Sequence, residues 1–104
     1  MRTEYKVVRW RKFEPPDPRS LRRILTDEGY GVYQWSDRPG TAYGVHQHTT
    51  HQCHWIISGV LELQVEGVGA VTLNPGDRDF MPAGTYHSAR VIGNRPVVYL
   101  IGEK

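Results

Sequence analysis

Glycine and proline punctuate this chain at short, regular intervals, and that spacing restricts the fold more than any other feature. The marks are PPDP at 15–18, RPG at 38–40, EGVG at 66–69, NPGD at 74–77, PAG at 82–84 and GNRP at 93–96. Between them lie runs rich in Val, Ile, Leu, Tyr and Trp. Such spacing predicts many short strands joined by tight turns, the pattern of an all-β sandwich or barrel. VLELQVE is the clearest strand: Leu61, Leu63 and Val65 alternate with Glu62, Gln64 and Glu66, so one face is buried and the other wet. EGVG then turns the chain back into AVTL as a hairpin. EYKVVRW, YGVYQW, AYGVHQH, CHWIIS, DFMP, HSARVI and VVYLI complete the predicted strands.

One segment reads differently. In DPRSLRRILTDEG, Asp17 suits an N-cap and Pro18 the first helical position. Leu21, Ile24 and Leu25 fall on one side, and Gly29 supplies the stop, so a helix of at most about three turns is expected. With 104 residues the chain is expected to form one domain. Residues 1–35, holding N-terminal strands and the short helix, pack on a barrel core at 36–104.

Charge excludes little but its distribution is uneven. Residues 1–23 carry eight Lys and Arg against Glu4, Glu14 and Asp17, while the remainder carries five against eight acids. Trp10 and Phe13 do not combine with these cations in a nucleic-acid motif, so the basic front is read as a solvated face and nucleic acid is not expected as a partner. A lone cysteine, Cys53, forbids an intrachain disulfide and fits a reducing compartment. The opening MRTEYKVVRWRKFE lacks an apolar signal-like stretch and no run is long enough for a membrane span. A cytoplasmic protein is expected.

Chemistry concentrates in HQHTTHQCH, residues 46–54. His46 and His48 are two apart, so on an extended strand both rings leave one face and can chelate one ion. His87 opens a later strand that a closed sheet would bring opposite the pair. Three neutral imidazoles suit Fe, Ni, Cu, Zn or Mn, with positions left for a small-molecule substrate. Strand alternation puts His54, Ile56 and Ser58 on the same face as Gln52 and Cys53 on the opposite one. His54 would then be an acid–base group in the pocket or a structurally hydrogen-bonded ring. His51 falls in an exposed turn.

Spacing around these histidines resembles the cupin family. Its first motif, G-x5-HxH-x3,4-E-x6-G, is matched by Gly40, His46, His48 and Gly59, with Gln52 where the family has glutamate. Its second, G-x5-PxG-x2-H-x3-N, is matched by Gly76, Pro82, Gly84 and His87, with Val91 in place of asparagine. The resemblance implies a jelly-roll barrel of two antiparallel sheets and a divalent transition metal held by His46, His48 and His87. It puts Gln52 at the fourth ligand position, where it either ligates directly or hydrogen-bonds a ligating histidine or water.

A neutral amide leaves the ion's full charge uncompensated, which favours an anionic, chelating substrate. The implied function is metal-dependent isomerase, lyase or dioxygenase chemistry on a small oxygen-rich acid or sugar. A small group of Gln-bearing cupins that linearise unsaturated uronates shares the HxH…HQ pattern. The alternative is a non-catalytic module binding a metal or small ligand. Trp10, Trp35 and Trp55 are read as an outer apolar patch, and a homodimer is expected from it.

Overall fold

The computed structural model describes residues 4–104. Its elements, in chain order, are β1 (Lys6–Val8), α1 (Pro18–Asp27), β2 (Gly31–Asp37), β3 (Ala42–His46), β4 (Gln52–Ser58), β5 (Val60–Val65), β6 (Gly69–Leu73), β7 (Arg78–Phe80), β8 (His87–Ile92) and β9 (Val97–Glu103). They form two antiparallel sheets, a five-stranded one in the order β1-β7-β4-β9-β2 and a four-stranded one in the order β3-β8-β5-β6. This is the all-β architecture that the turn spacing predicts and the jelly roll that the cupin resemblance implies, and every predicted strand has its counterpart.

The two sheets face each other across a core that includes Ile56, Leu61, Leu63, Val65, Val97 and Tyr99. In β5 the buried residues are Leu61, Leu63 and Val65, while Gln64 is exposed, because the outer face of the four-stranded sheet meets water. β4 is different. Gln52, His54 and Ile56 point into the barrel, while Cys53 and Trp55 are also buried, in a second cluster with Leu21, Leu25, Tyr30 and Leu100. α1 covers that outer face, which is why CHWIIS and VVYLI read as nearly continuous apolar runs: a strand covered on both sides has no wet face to encode.

The helix follows its expected bounds with two differences. Leu21 and Leu25, one turn apart, are buried, but Ile24 is 41% exposed at the rim of the stripe. Asp17 holds the N-cap position without a side-chain cap bond; its carboxylate instead accepts from the Ser20 hydroxyl at 2.7 Å. At the other end Gly29 adopts φ +95°, which lets its own N–H reach Thr26 O and the Tyr30 N–H reach Leu25 O, both at 3.0 Å. Those bonds satisfy the last carbonyls and turn the chain into β2.

The three tryptophans do not make one outer patch. Trp55 lies beneath the Arg78 guanidinium, 4.3 Å from its ring centroid, and donates to Gly76 O. Trp10 packs half-buried against the same cluster. Trp35 is exposed on β2, where it borders the barrel mouth. The basic front is partly paired, with Arg9 bonded to Asp77 at 2.8 Å. No helix among the described residues is long and apolar enough to cross a membrane.

Gly59, between β4 and β5, has φ +77°, and a Cβ there would fall 2.7 Å from Val97 Cα and within contact of the Pro96 carbonyl. Both obstacles are backbone, so neither can rotate away. Gly59→Ala is expected to cost more than the roughly 1–2 kcal/mol of a left-handed Cβ alone, measured as a lower denaturant midpoint at unchanged slope.

Candidate metal centre

His46 ends β3 and His87 begins β8, and the two residues are direct register partners across the four-stranded sheet. A register shift between Tyr43 and His46 locally re-aims the strand at this point. His48 follows in the loop after β3. The three rings meet: centroids lie 4.3 Å apart for His46 and His87, 4.9 Å for His46 and His48, and 5.2 Å for His48 and His87. One ligand nitrogen from each ring falls within 4.8 Å of the others.

Hydrogen bonds behind the rings fit this use. His46 Nδ1 lies 2.7 Å from Gly44 O and His87 Nδ1 lies 2.9 Å from Thr85 O. A carbonyl can only accept, so each Nδ1 carries the proton and each Nε2 is left bare, as a metal-binding imidazole requires. Burial, together with the neighbouring imidazoles, lowers the His87 pKa to about 4 despite the Thr85 hydrogen bond, and the same causes lower that of His48. Both rings are therefore neutral donors near pH 7. These donors, with no Lys or Arg among the residues lining the cavity, fit a divalent transition ion.

The depressed His87 pKa has a consequence for the metal-free protein. Its ordinary value is near 6.5, so the unfolded chain binds a proton before the folded one does, and stability falls as pH drops from about 6.5 towards 4. Thermal melts of metal-free protein across that window should lose more stability than those of His87→Asn.

His54 faces the barrel interior. Its ring is 6.3 Å from that of His87 and lines the same cavity. Nδ1 lies 3.0 and 3.1 Å from the two oxygens of Asp79, leaving Nε2 for the cavity. Burial alone would lower the His54 pKa, but the charge and hydrogen bond of Asp79 overturn that and raise it. Asp79 is fully buried and also accepts from the His54 N–H at 2.8 Å and the Tyr5 hydroxyl at 2.9 Å. His54 is thus a residue that lines the pocket and is also structurally bonded. Nothing in the histidine motifs points to Asp79. Its signal is parity, since in the strand DFMP it shares a face with buried Met81.

Gln52 is 4% exposed and lines the cavity, and its Nε2 donates to Glu103 at 3.1 Å. His51 is in the exposed turn, but it is not idle: its Nδ1 accepts from the Ala83 N–H at 3.0 Å, tying the HxH loop to the PAG turn. Cys53 lies on the opposite side of β4 beneath the helix, and burial pushes its thiol up to about 12, so it is neither ligand nor nucleophile here.

The cavity holds about 190 Å³. Its inner wall is apolar, with Leu61, Leu63, Ala89 and Ile101; its mouth carries Tyr33, Trp35 and Tyr43. Asp37 organises that mouth, accepting from the Tyr43 hydroxyl at 2.7 Å, Trp35 Nε1 at 3.1 Å and the Tyr99 hydroxyl at 3.2 Å. Asp37 thereby joins β2 to β3 of the other sheet and to β9 of its own.

Comparison with known proteins agrees with this fold. The family model described as Cupin domain matches residues 34–102. A dimethylsulfoniopropionate lyase, DddQ of Ruegeria pomeroyi, is 36% identical over 62 residues, which are 60% of this chain and 30% of that protein. The chain thus spans under a third of that relative's length. The crystal structure of the same lyase superposes with TM-score 0.66 at 31% identity, over 72% of this chain and 38% of that one. KdgF from Halomonas sp. gives TM-score 0.58 at 25% identity, covering 70% and 68%. Bacillus subtilis oxalate decarboxylase, described with Mn(II) centres, gives 0.65 at 25%, covering 72% and 21%.

Proposed function

Since this chain belongs to the cupin domain family, we propose that it is a metal-dependent enzyme that performs lyase or isomerase chemistry on a small carboxylate. The observation that carries this reading is the pairing, in one cavity, of three convergent imidazoles with a His54–Asp79 dyad. His46, His48 and His87 would hold a divalent ion, which when bound would supply Lewis acidity towards a carboxylate or carbonyl oxygen. The chain's own residues do the rest. His54, oriented through Nδ1 by Asp79, presents Nε2 to take a proton from carbon; in an isomerisation it returns that proton to another carbon, and in a lyase reaction the bond from the adjacent carbon to the leaving group breaks to form the alkene and the proton passes from Nε2 to solvent. Leu61, Leu63 and Ala89 exclude water from the inner wall.

Size and charge narrow the substrate. A cavity of about 190 Å³ favours a small acid over an oligosaccharide. With no Lys or Arg in the lining, a second anionic group has no partner. The Tyr33, Trp35 and Tyr43 mouth beside Asp37 suits a cationic end instead. Dimethylsulfoniopropionate, named for the Ruegeria pomeroyi relative, has this form, with a carboxylate at one end and a sulfonium at the other. The unsaturated uronates implied by the HxH…HQ resemblance are the competing substrates.

Metal-loaded protein is to be incubated with each compound in turn. Release of dimethyl sulfide, or loss of uronate absorbance, is expected to depend on metal and to be abolished in His54→Ala. Tight metal binding with no turnover of either would favour the non-catalytic binding module.

A further inference from the structure

Where the family has a glutamate at position 52, this chain has an amide with a carboxylate directly across the sheet. Gln52 and Glu103 are register partners in the β4–β9 ladder, and the Gln52 amide nitrogen donates to the Glu103 carboxylate at 3.1 Å. The backbone on both sides of the pair is fixed. Gln52 exchanges hydrogen bonds with Met81 at 2.8 and 2.7 Å, and His51 exchanges them with Lys104 at 2.9 and 3.0 Å.

An amide has two faces with opposite roles: its nitrogen only donates and its oxygen only accepts. A carboxylate can hold only the nitrogen. Once the nitrogen is committed to β9, the oxygen is directed to the other side of the group, and Gln52 lines the cavity with the three histidines.

We propose that Glu103 is a positioning residue that holds the Gln52 amide with its oxygen towards the His46, His48 and His87 centre, so that a negative charge serves the site from one strand away. The proposal rests on the metal reading above. It also explains why glutamine stands here. A glutamate at 52 would face Glu103 at hydrogen-bond distance with no proton between them, and like charges in that position repel. The carboxylate has moved by one strand rather than disappeared.

Cobalt(II) is the probe, because its visible spectrum reports ligand identity and geometry without turnover. In Glu103→Ala the amide loses its anchor, and cobalt affinity is expected to fall about 10–100-fold, as for other groups that orient a ligand, with a changed visible spectrum. Glu103→Gln, whose side-chain oxygen can still accept from the Gln52 nitrogen, is expected to restore the wild-type spectrum. Gln52→Ala should reproduce the spectrum of Glu103→Ala, and the double variant should show no further loss, because both changes remove one coupled unit. Thermal melts check that each variant is folded.

A Glu103→Ala protein with wild-type affinity and spectrum, or losses that simply add in the double variant, would overturn the positioning role and leave the metal reading intact. Wild-type protein that takes up no cobalt would overturn both.

Discussion

His87→Ala protein is expected to lose stoichiometric divalent-metal binding while keeping its fold. His87 is the proposed ligand from β8 and the one whose ring lies nearest that of His46. It is 3% exposed, whereas His46 and His48 are only partly buried, so its removal leaves two more mobile imidazoles at the rim. Loss of a group behind a ligand costs about 10–100-fold in affinity, and loss of the ligand itself should exceed that. The fold should survive, because the ring's own protein bond is one contact to Thr85 O and β8 stays paired to β3 and β5. Calorimetric titration with nickel or zinc, beside a thermal melt, checks both halves. Affinity within threefold of wild type would count against the triad.

A second large effect is expected at Asp79, this time on stability. Asp79→Ala strips partners from the His54 ring, the His54 N–H and the Tyr5 hydroxyl together. Removing one member of a buried charged pair typically costs about 3–5 kcal/mol, a large share of the roughly 5–15 kcal/mol that holds a domain together. For a chain of this size, each kcal/mol corresponds to about 4–8 °C in Tm, so the melt should fall by well over 10 °C. Tyr5→Phe removes one neutral donor and should cost only about 0.5–1.5 kcal/mol. Equal losses in the two variants would mean that the carboxylate is not the hub of this network.

These two residues mark what local sequence can and cannot encode. His46 and His48, the β5 alternation, the EGVG hairpin and the DPRSLRRILTDEG helix are legible because each depends on neighbours within a turn or a strand. Asp79 and Glu103 acquire their roles only from partners far along the chain, and Asp37 gains Tyr99 the same way. Asp79 meets Tyr5 across 74 residues and Glu103 meets Gln52 across 51. Ring closure sets those pairings, and no periodicity carries them. Trp55 fails as a surface residue for the same reason: β4 is covered on its second face by a helix some thirty residues earlier. Ile24 shows a smaller version of the limit, since the helical period marks a stripe but not how far the sheet beneath it extends.

His46, His48 and His87 are proposed to hold one ion together. X-ray absorption of the nickel- or zinc-loaded protein tests it most directly, because scattering from imidazole rings counts histidine ligands. One ion per chain with three imidazole nitrogens at about 2.0–2.1 Å, falling to two in His48→Ala, is the predicted result. A bound ion with one imidazole or none, or a protein that retains no ion after desalting, would contradict it.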